Sequence, residues 1–234
     1  MTATYAGELG AIARTPVTLV VITLDYCANT FGVAPCVATG TKCYNTRWTC
    51  KDPTNYSLTT KNYKFTSVDA PLPFKEGERP YVRSVRYLPT EIKTSLTIKG
   101  RVTIEFVDEP DTDVGIDPYV ANRTSVQGTF WKKLIARNPY YKGRLIKIYQ
   151  GFLGLAEADF QQKWQGKIEN ITIAPDGTVE IEAADILQDL TKIQVPTKTN
   201  TKLAVSLTAT SSNITIDRNA SAMPASGYMV IDEE

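Results

Sequence analysis

Histidine is missing from this 234-residue chain, and cysteine is missing everywhere outside positions 27 to 50. Without histidine, a Ser, Thr or Cys nucleophile needs a Lys or a carboxylate as its base, and no motif supplies such a pair. No glycine loop of the phosphate-binding kind is present. A non-enzymatic protein is expected. An excess of charge is also lacking: 26 Lys and Arg against 25 Asp and Glu leave a net +1, too little to hold nucleic acid or an anionic membrane across the whole surface. Long hydrophobic runs are absent as well. The longest, Val17 to Leu24, is broken by threonines and ends at Asp25, so no membrane span is expected. The first fifteen residues, with Glu8 and Arg14, do not have the layout of a secretory signal, which weighs against an oxidising compartment.

What is present favours sheet. Thirteen Pro, fourteen Gly and many Thr and Tyr accompany apolar residues that alternate instead of recurring at helical spacing, which predicts a mainly β protein. Residues 1–16 read as an N-terminal arm whose order depends on a neighbour. Val17 to Leu24 is a strong strand that leads into a polar, irregular segment from Cys27 to Tyr56. Pro71, Pro73 and Pro80 predict an extended stretch from Tyr63 to Arg83. A hairpin is expected from Ile92 to Val107, turning at Lys99-Gly100-Arg101, and a second around Pro175-Asp176-Gly177. Phe130, Trp131, Leu134 and Ile135 share one face of a helix between Gly128 and Pro139; Asp185 to Lys192 suggests another short helix. The expected division is an arm at 1–16, a strand with the cysteine segment and an extended stretch at 17–85, a β-barrel domain at 86–198, and the start of a second β domain at 199–234. That last pattern stops in mid-strand, as expected of the N-terminal part of a longer product.

Cys27, Cys36, Cys43 and Cys50 are the candidate site. Their spacing, C-x8-C-x6-C-x6-C, matches neither the paired C-x2-C of zinc ribbons nor the tight run of bacterial ferredoxins. Four soft thiolates on flexible loops can converge on a zinc ion or embrace an iron–sulfur cluster, and long gaps favour the bulkier group. Two disulfides, or four thiols buried as small hydrophobes, are the competing readings. Lys42, Arg47 and Lys51 lie among the cysteines, where positive charge eases thiol deprotonation, or they are simply solvated loop charges. A second cluster, Asp108, Glu109, Asp111, Asp113 and Asp117, resembles part of a calcium loop but lacks its terminal Glu. It reads as a solvated acidic turn, able to pair with the basic Arg137, Lys142, Arg144 and Lys147 of a neighbouring copy.

Several blocks together resemble one family. The run from Asp25 to Lys51 with its four cysteines is similar to the N-terminal region of baseplate hub, or tail tip, proteins of long-tailed non-contractile bacteriophages, relatives of gene-transfer-agent hubs. Gly77-Glu78-Arg79-Pro80-Tyr81, Asp117-Pro118-Tyr119, Gly128-Thr129-Phe130-Trp131 and the stretch from Ala136 to Arg144 look like the same family, in the same order. The end of the chain, from Pro224 to Glu234, is similar to the opening of a strand motif that continues in such hubs. One departure is that relatives often carry histidine where this chain reads Asp108-Glu109-Pro110-Asp111.

The resemblance implies tail-tube-like β-barrel hub domains with an irregular four-cysteine metal-binding loop and one or two short helices. It implies a homotrimer closing the tail tube of the virion, assembled in the host cytoplasm and contacting a distal tail protein, the tape-measure protein and tail fibre proteins. DNA would pass through its lumen without sequence-specific binding. It further implies an iron–sulfur cluster, of the 4Fe-4S type, on Cys27, Cys36, Cys43 and Cys50, with zinc as the alternative. A soluble redox or electron-transfer protein, and a zinc-stabilised or disulfide-stabilised β-rich binding module, are the readings from other classes.

Overall fold

A computed structural model of the chain describes residues 4–11, 14–67, 78–92, 98–113, 115–123 and 128–187. The chain divides into one unit over Met1–Leu190 and another over Thr191–Glu234. The β unit expected after residue 198 and most of the helix expected at 185–192 lie outside the described residues.

Within the first unit a short helix, α1 (Tyr5–Leu9), precedes β1 (Pro16–Cys27), β2 (Leu58–Ser67), β3 (Glu78–Ile92) and β4 (Ile98–Val107). Helix α2 (Phe130–Arg137) then leads to β5 (Leu145–Phe152), β6 (Gln161–Ile173) and β7 (Thr178–Asp185). The protein is mainly β, as its composition predicts. Among the described residues seven strands run β1-β2-β3-β4-β7-β6-β5, and β5 pairs back onto β1, so the sheet closes on itself. Closure leaves no edge strand among the described residues to template association. Neighbours are antiparallel except for β2 and β3, which run parallel. The barrel expected over 86–198 therefore takes staves from earlier in the chain: β1 and β2 belong to it, and the boundary placed at 85/86 falls inside β3.

Strand β1 explains its own sequence. Val20, Ile22 and Leu24 join the main core, while Val17, Leu19 and Val21, on the opposite face, pack with Phe152, Leu155 and Phe160. A strand buried on both sides reads as a continuous apolar run, not an alternating one. The second face is completed by the N-terminal segment, where Tyr5 of α1 lies 5.4 Å from the Phe152 ring and Arg14 lies over the same ring. The arm expected to depend on a neighbour thus packs on its own barrel.

Helix α2 supplies two of the largest side chains of the core. Phe130 and Trp131 are fully buried, and Trp131 stacks on Phe65 at 5.0 Å while meeting Phe106 at 4.8 Å. Asp108, just beyond β4, caps the helix from outside: the Trp131 N–H donates to Asp108 Oδ1 at 2.9 Å, and the Thr129 hydroxyl donates to Oδ2 at 2.5 Å. A carboxylate at a helix N-terminus satisfies orphan N–H groups and complements the dipole.

The turn expected at Lys99-Gly100-Arg101 is not there. Those residues continue β4, with Lys99 opposite Glu91 and Arg101 opposite Leu88. Cross-strand pairing on both sides of Gly100 outweighs its turn propensity. The hairpin at Pro175 to Gly177 forms as expected, joining β6 to β7.

Two outcomes are expected of this barrel. A Cβ on Gly166 would lie 2.2 Å from the Ala184 carbonyl oxygen and 2.2 Å from the Trp164 ring, so Gly166→Ala lowers stability by about 3 kcal/mol in urea denaturation. Burial pushes the Tyr63 phenol from 10.0 up to about 12. A raised acid favours the folded state below its unfolded pKa, and that contribution is lost as pH climbs through the folded value. Wild-type stability should fall between about pH 10 and pH 12. Tyr63→Phe should flatten that fall by about 3 kcal/mol, read from denaturation midpoints against pH.

Candidate metal centre

Cys27 ends β1 opposite Leu58, the first residue of β2, so residues 28–57 leave and rejoin the barrel at adjacent points. The sequence of this loop, rich in Asn, Thr, Gly and Pro, makes no strand. Its backbone is instead held by single bonds: Cys27 N–H to Asn45 O at 2.6 Å, Ala28 N–H to Ser57 O at 2.9 Å and Cys36 N–H to Val33 O at 2.9 Å. Asp52 ties two further strands of the loop, accepting from Val37 N–H and from Asn55 Nδ2, both at 2.9 Å. These two bonds hold its carboxyl below the usual range.

All four cysteines face one cavity. Cys27, Cys36, Cys43 and Cys50 line it together with Asn45, Lys51 and Tyr56, and it is partly open to solvent. The four thiols are free; Cys43 is buried and the others are half-buried. Burial pushes the Cys43 thiol up, and the neighbouring Cys50, Cys27 and Cys36 push it the same way, against a backbone N–H of Asn45 that pulls it down. Sequence reasoning thus named four residues that the fold does bring together. Among the described residues no three Cys, His, Asp or Glu side chains close on one metal-ion position.

Of the three cations interspersed with the cysteines, two have structural partners. Lys42 bonds the Asn122 side chain and lies 4.9 Å over the Tyr119 ring; Arg47 donates to Pro53 O at 3.0 Å and lies 5.2 Å over Tyr56. Lys51 lines the cavity.

The acidic segment is what sequence reasoning misread. It is not a solvated turn: Asp108, Asp113 and Asp117 are all buried, and Asp117 is only 2% exposed. Asp108 is answered by the N-terminus of α2, and Asp111, Asp113 and Asp117 by cations of the same chain, not of a neighbouring copy. Asp111 pairs with Arg79 at 2.9 Å, Asp117 with Arg123 at 2.6 Å, and Asp113 with Arg137 at 2.9 Å and Lys133 at 3.4 Å. The Arg137 contact is close but misaligned, leaving Asp113 Oδ1 and Arg137 Nη1 without a hydrogen-bond partner. Arg144, also expected to face a neighbour, pairs with Asp25. The signal in the sequence was the basic residues at 133 and 137, one turn apart on a helix whose other face is apolar.

These pairs reach into the cysteine loop. Arg123 Nη2 donates to the carbonyls of Lys42 at 2.7 Å and Cys43 at 2.6 Å. The Tyr44 ring lies between two guanidiniums, Arg123 at 3.9 Å and Arg137 at 4.6 Å. Thr46 donates to Arg137 O at 2.7 Å, and Phe31 N–H donates to the Tyr119 hydroxyl at 2.7 Å. Cys43, the most buried thiol, therefore sits in the most firmly held stretch of the loop.

No family model and no curated protein matches the chain. The chemistry of the site is what bears on its function.

A thiolate set fits a soft, thiophilic metal group, since all four cysteines line one cavity and their donors are all sulfur. Four sulfurs around a single zinc must all lie about 2.3 Å from one point. The present arrangement would have to contract for that. A cluster spreads its irons over a larger body, which suits thiols ranged around a shared space.

Removing Asp117 leaves the half-buried Arg123 charged without its carboxylate. Asp117→Ala is expected to cost about 3 kcal/mol and to raise amide hydrogen exchange at residues 42–46 before it does so in β4 and β7.

Proposed function

We propose that this chain is a structural virion protein, the hub at the distal end of a phage tail, which closes the tube and takes part in DNA ejection and host entry. It has no catalytic role in this reading. The observation that carries the reading is the convergence of Cys27, Cys36, Cys43 and Cys50 on one cavity beside a closed barrel. The order and spacing of the sequence blocks shared with tail tip proteins support it, and so does a closed seven-stranded barrel, the kind of unit that tail-tube-like domains use to build a ring.

In this reading the four cysteines hold an iron–sulfur cluster of the 4Fe-4S type. Such a group, when bound, supplies metal–thiolate bonds that cross-link a loop with no ladder of its own. The protein's residues do the rest. Asp117 and Arg123 fix the backbone at Cys43, Asp52 and Asn55 fix the segment between Cys36 and Cys50, and β1 delivers Cys27. Exposed Val33, Val37 and Trp48 on the loop, with Leu58 and Tyr140 beside it, form apolar surface of the kind a trimeric ring buries between copies. Further partners are a distal tail protein, the tape-measure protein and tail fibre proteins, with DNA passing through the lumen. Among the described residues no helix is long and apolar enough to cross a membrane.

A soluble redox carrier is the second reading, favoured by the half-buried state of Cys27, Cys36 and Cys50, which leaves a path for electrons at the surface. A carrier stays monomeric and cycles reversibly, whereas a hub self-associates.

Anaerobic purification with iron and acid-labile sulfide analysis, followed by mass measurement in solution, tests the proposal. The hub reading expects iron and sulfide in equal amounts and a trimer. Cys43→Ser should lose both elements while far-UV circular dichroism keeps the β signal of the barrel. Zinc without sulfide removes the cluster and leaves the hub; a monomer with neither element overturns both.

A further inference from the structure

Among the described residues, two of the buried side-chain nitrogens and oxygens that lack a hydrogen-bond partner belong to Asp113 and Arg137, which face each other as an ion pair. The third is the hydroxyl of Tyr56, and nothing answers it. A buried phenol without a partner forfeits its hydrogen bonds to water, so an orphan of this kind calls for an explanation. Tyr56 lines the cysteine cavity, and the charges that bear on its phenol are those of Cys27, Asp25, Cys50 and Arg47. Asp25 is engaged by Arg144. The hydroxyl shares its cavity with the four cysteine sulfurs, which are acceptors once they carry charge.

The ring is held for this purpose. Arg47 covers it at 5.2 Å and is itself anchored to Pro53 O at 3.0 Å, while the Tyr56 N–H closes a short turn on the same carbonyl at 3.5 Å.

We infer that the Tyr56 hydroxyl donates a hydrogen bond to a sulfur of the group held by Cys27 and Cys50, and so sets how readily that group accepts an electron. The inference rests on the iron–sulfur reading above. Adding an electron places more negative charge on the sulfurs, and a donor aimed at them stabilises that state more than the oxidised one. Tyr56 is thus a positioning and tuning residue, not a ligand.

The test compares wild type, Tyr56→Phe and a variant carrying 3-fluorotyrosine at position 56, each purified anaerobically and analysed for iron and sulfide before redox titration. Tyr56→Phe keeps the ring and its contact with Arg47, so metal content should be unchanged. The reduced-to-oxidised ratio at a fixed ambient potential should fall about tenfold, a one-electron shift of about 59 mV. The fluorinated phenol is a stronger donor and should move the ratio the other way. Deuterium sensitivity of the Fe–S stretching bands in resonance Raman should weaken in Tyr56→Phe. Wild type without iron and sulfide defeats the iron–sulfur reading and this inference with it. Loaded variants whose ratio does not move overturn the role of Tyr56 alone. Should Tyr56→Phe not hold the group, the fluorinated variant decides: an upward shift supports the hydrogen bond and no shift refutes it.

Discussion

The Asp117–Arg123 pair is the contact on which the rest of the site depends. Its carboxylate is buried, the pair is 2.6 Å long, and Arg123 Nη2 donates to the carbonyls of both Lys42 and Cys43. Those atoms are some eighty positions apart in the sequence, so the pair is a long-range fastening between a loop that has no ladder and a segment packed against helix α2. A buried ion pair adds little net stability compared with apolar residues of the same shape, because desolvation offsets most of the attraction. What it does add is selectivity of geometry. Arg123 is satisfied only when the backbone around Cys43 presents both carbonyls at once.

The same segment serves two masters through different carboxylates. Asp108 caps α2 and so places Trp131 against Phe65 and Phe106 in the barrel core. Asp113 and Asp117 hold Arg137 and Arg123, which flank Tyr44 in the loop. Core packing and loop position are therefore coupled through the chain between β4 and α2. A change that shifts α2 by even a fraction of a turn moves Arg137, and with it the ring that precedes Asn45, whose carbonyl accepts from Cys27 N–H.

Some of this was legible in the sequence and some was not. Val17 to Leu24 announces a strand because its apolar run serves two faces at once, and Phe130, Trp131 and Leu134 announce a helix because they fall on one side with Pro139 to stop it. The convergence of the four cysteines was readable from their crowding. Lys99-Gly100-Arg101 misled because turn propensity is local, whereas its pairing with Leu88 and Glu91 is a property of the sheet. The boundary at 85/86 failed for a related reason: barrel closure joins β1 to β5 across more than a hundred residues, and no local composition records that. The acidic segment was taken for a solvated turn since charge suggests exposure, and only tertiary structure reveals that Arg79, Arg123, Lys133 and Arg137 arrive at the same place.

A metal-binding loop can be ordered by its metal or ordered before it. Small zinc modules take the first route, and their binding energy is consumed in folding. Here the loop enters and leaves through paired barrel strands, is crossed internally by Asp52 and Asn55, and is fastened at Cys43 by Arg123. These bonds involve no sulfur, so they do not compete with ligation. The thiols around the cavity are consequently pre-positioned, and less of the binding free energy goes into ordering the chain. It follows that the barrel and the backbone of the loop can be shaped before anything binds at the thiols.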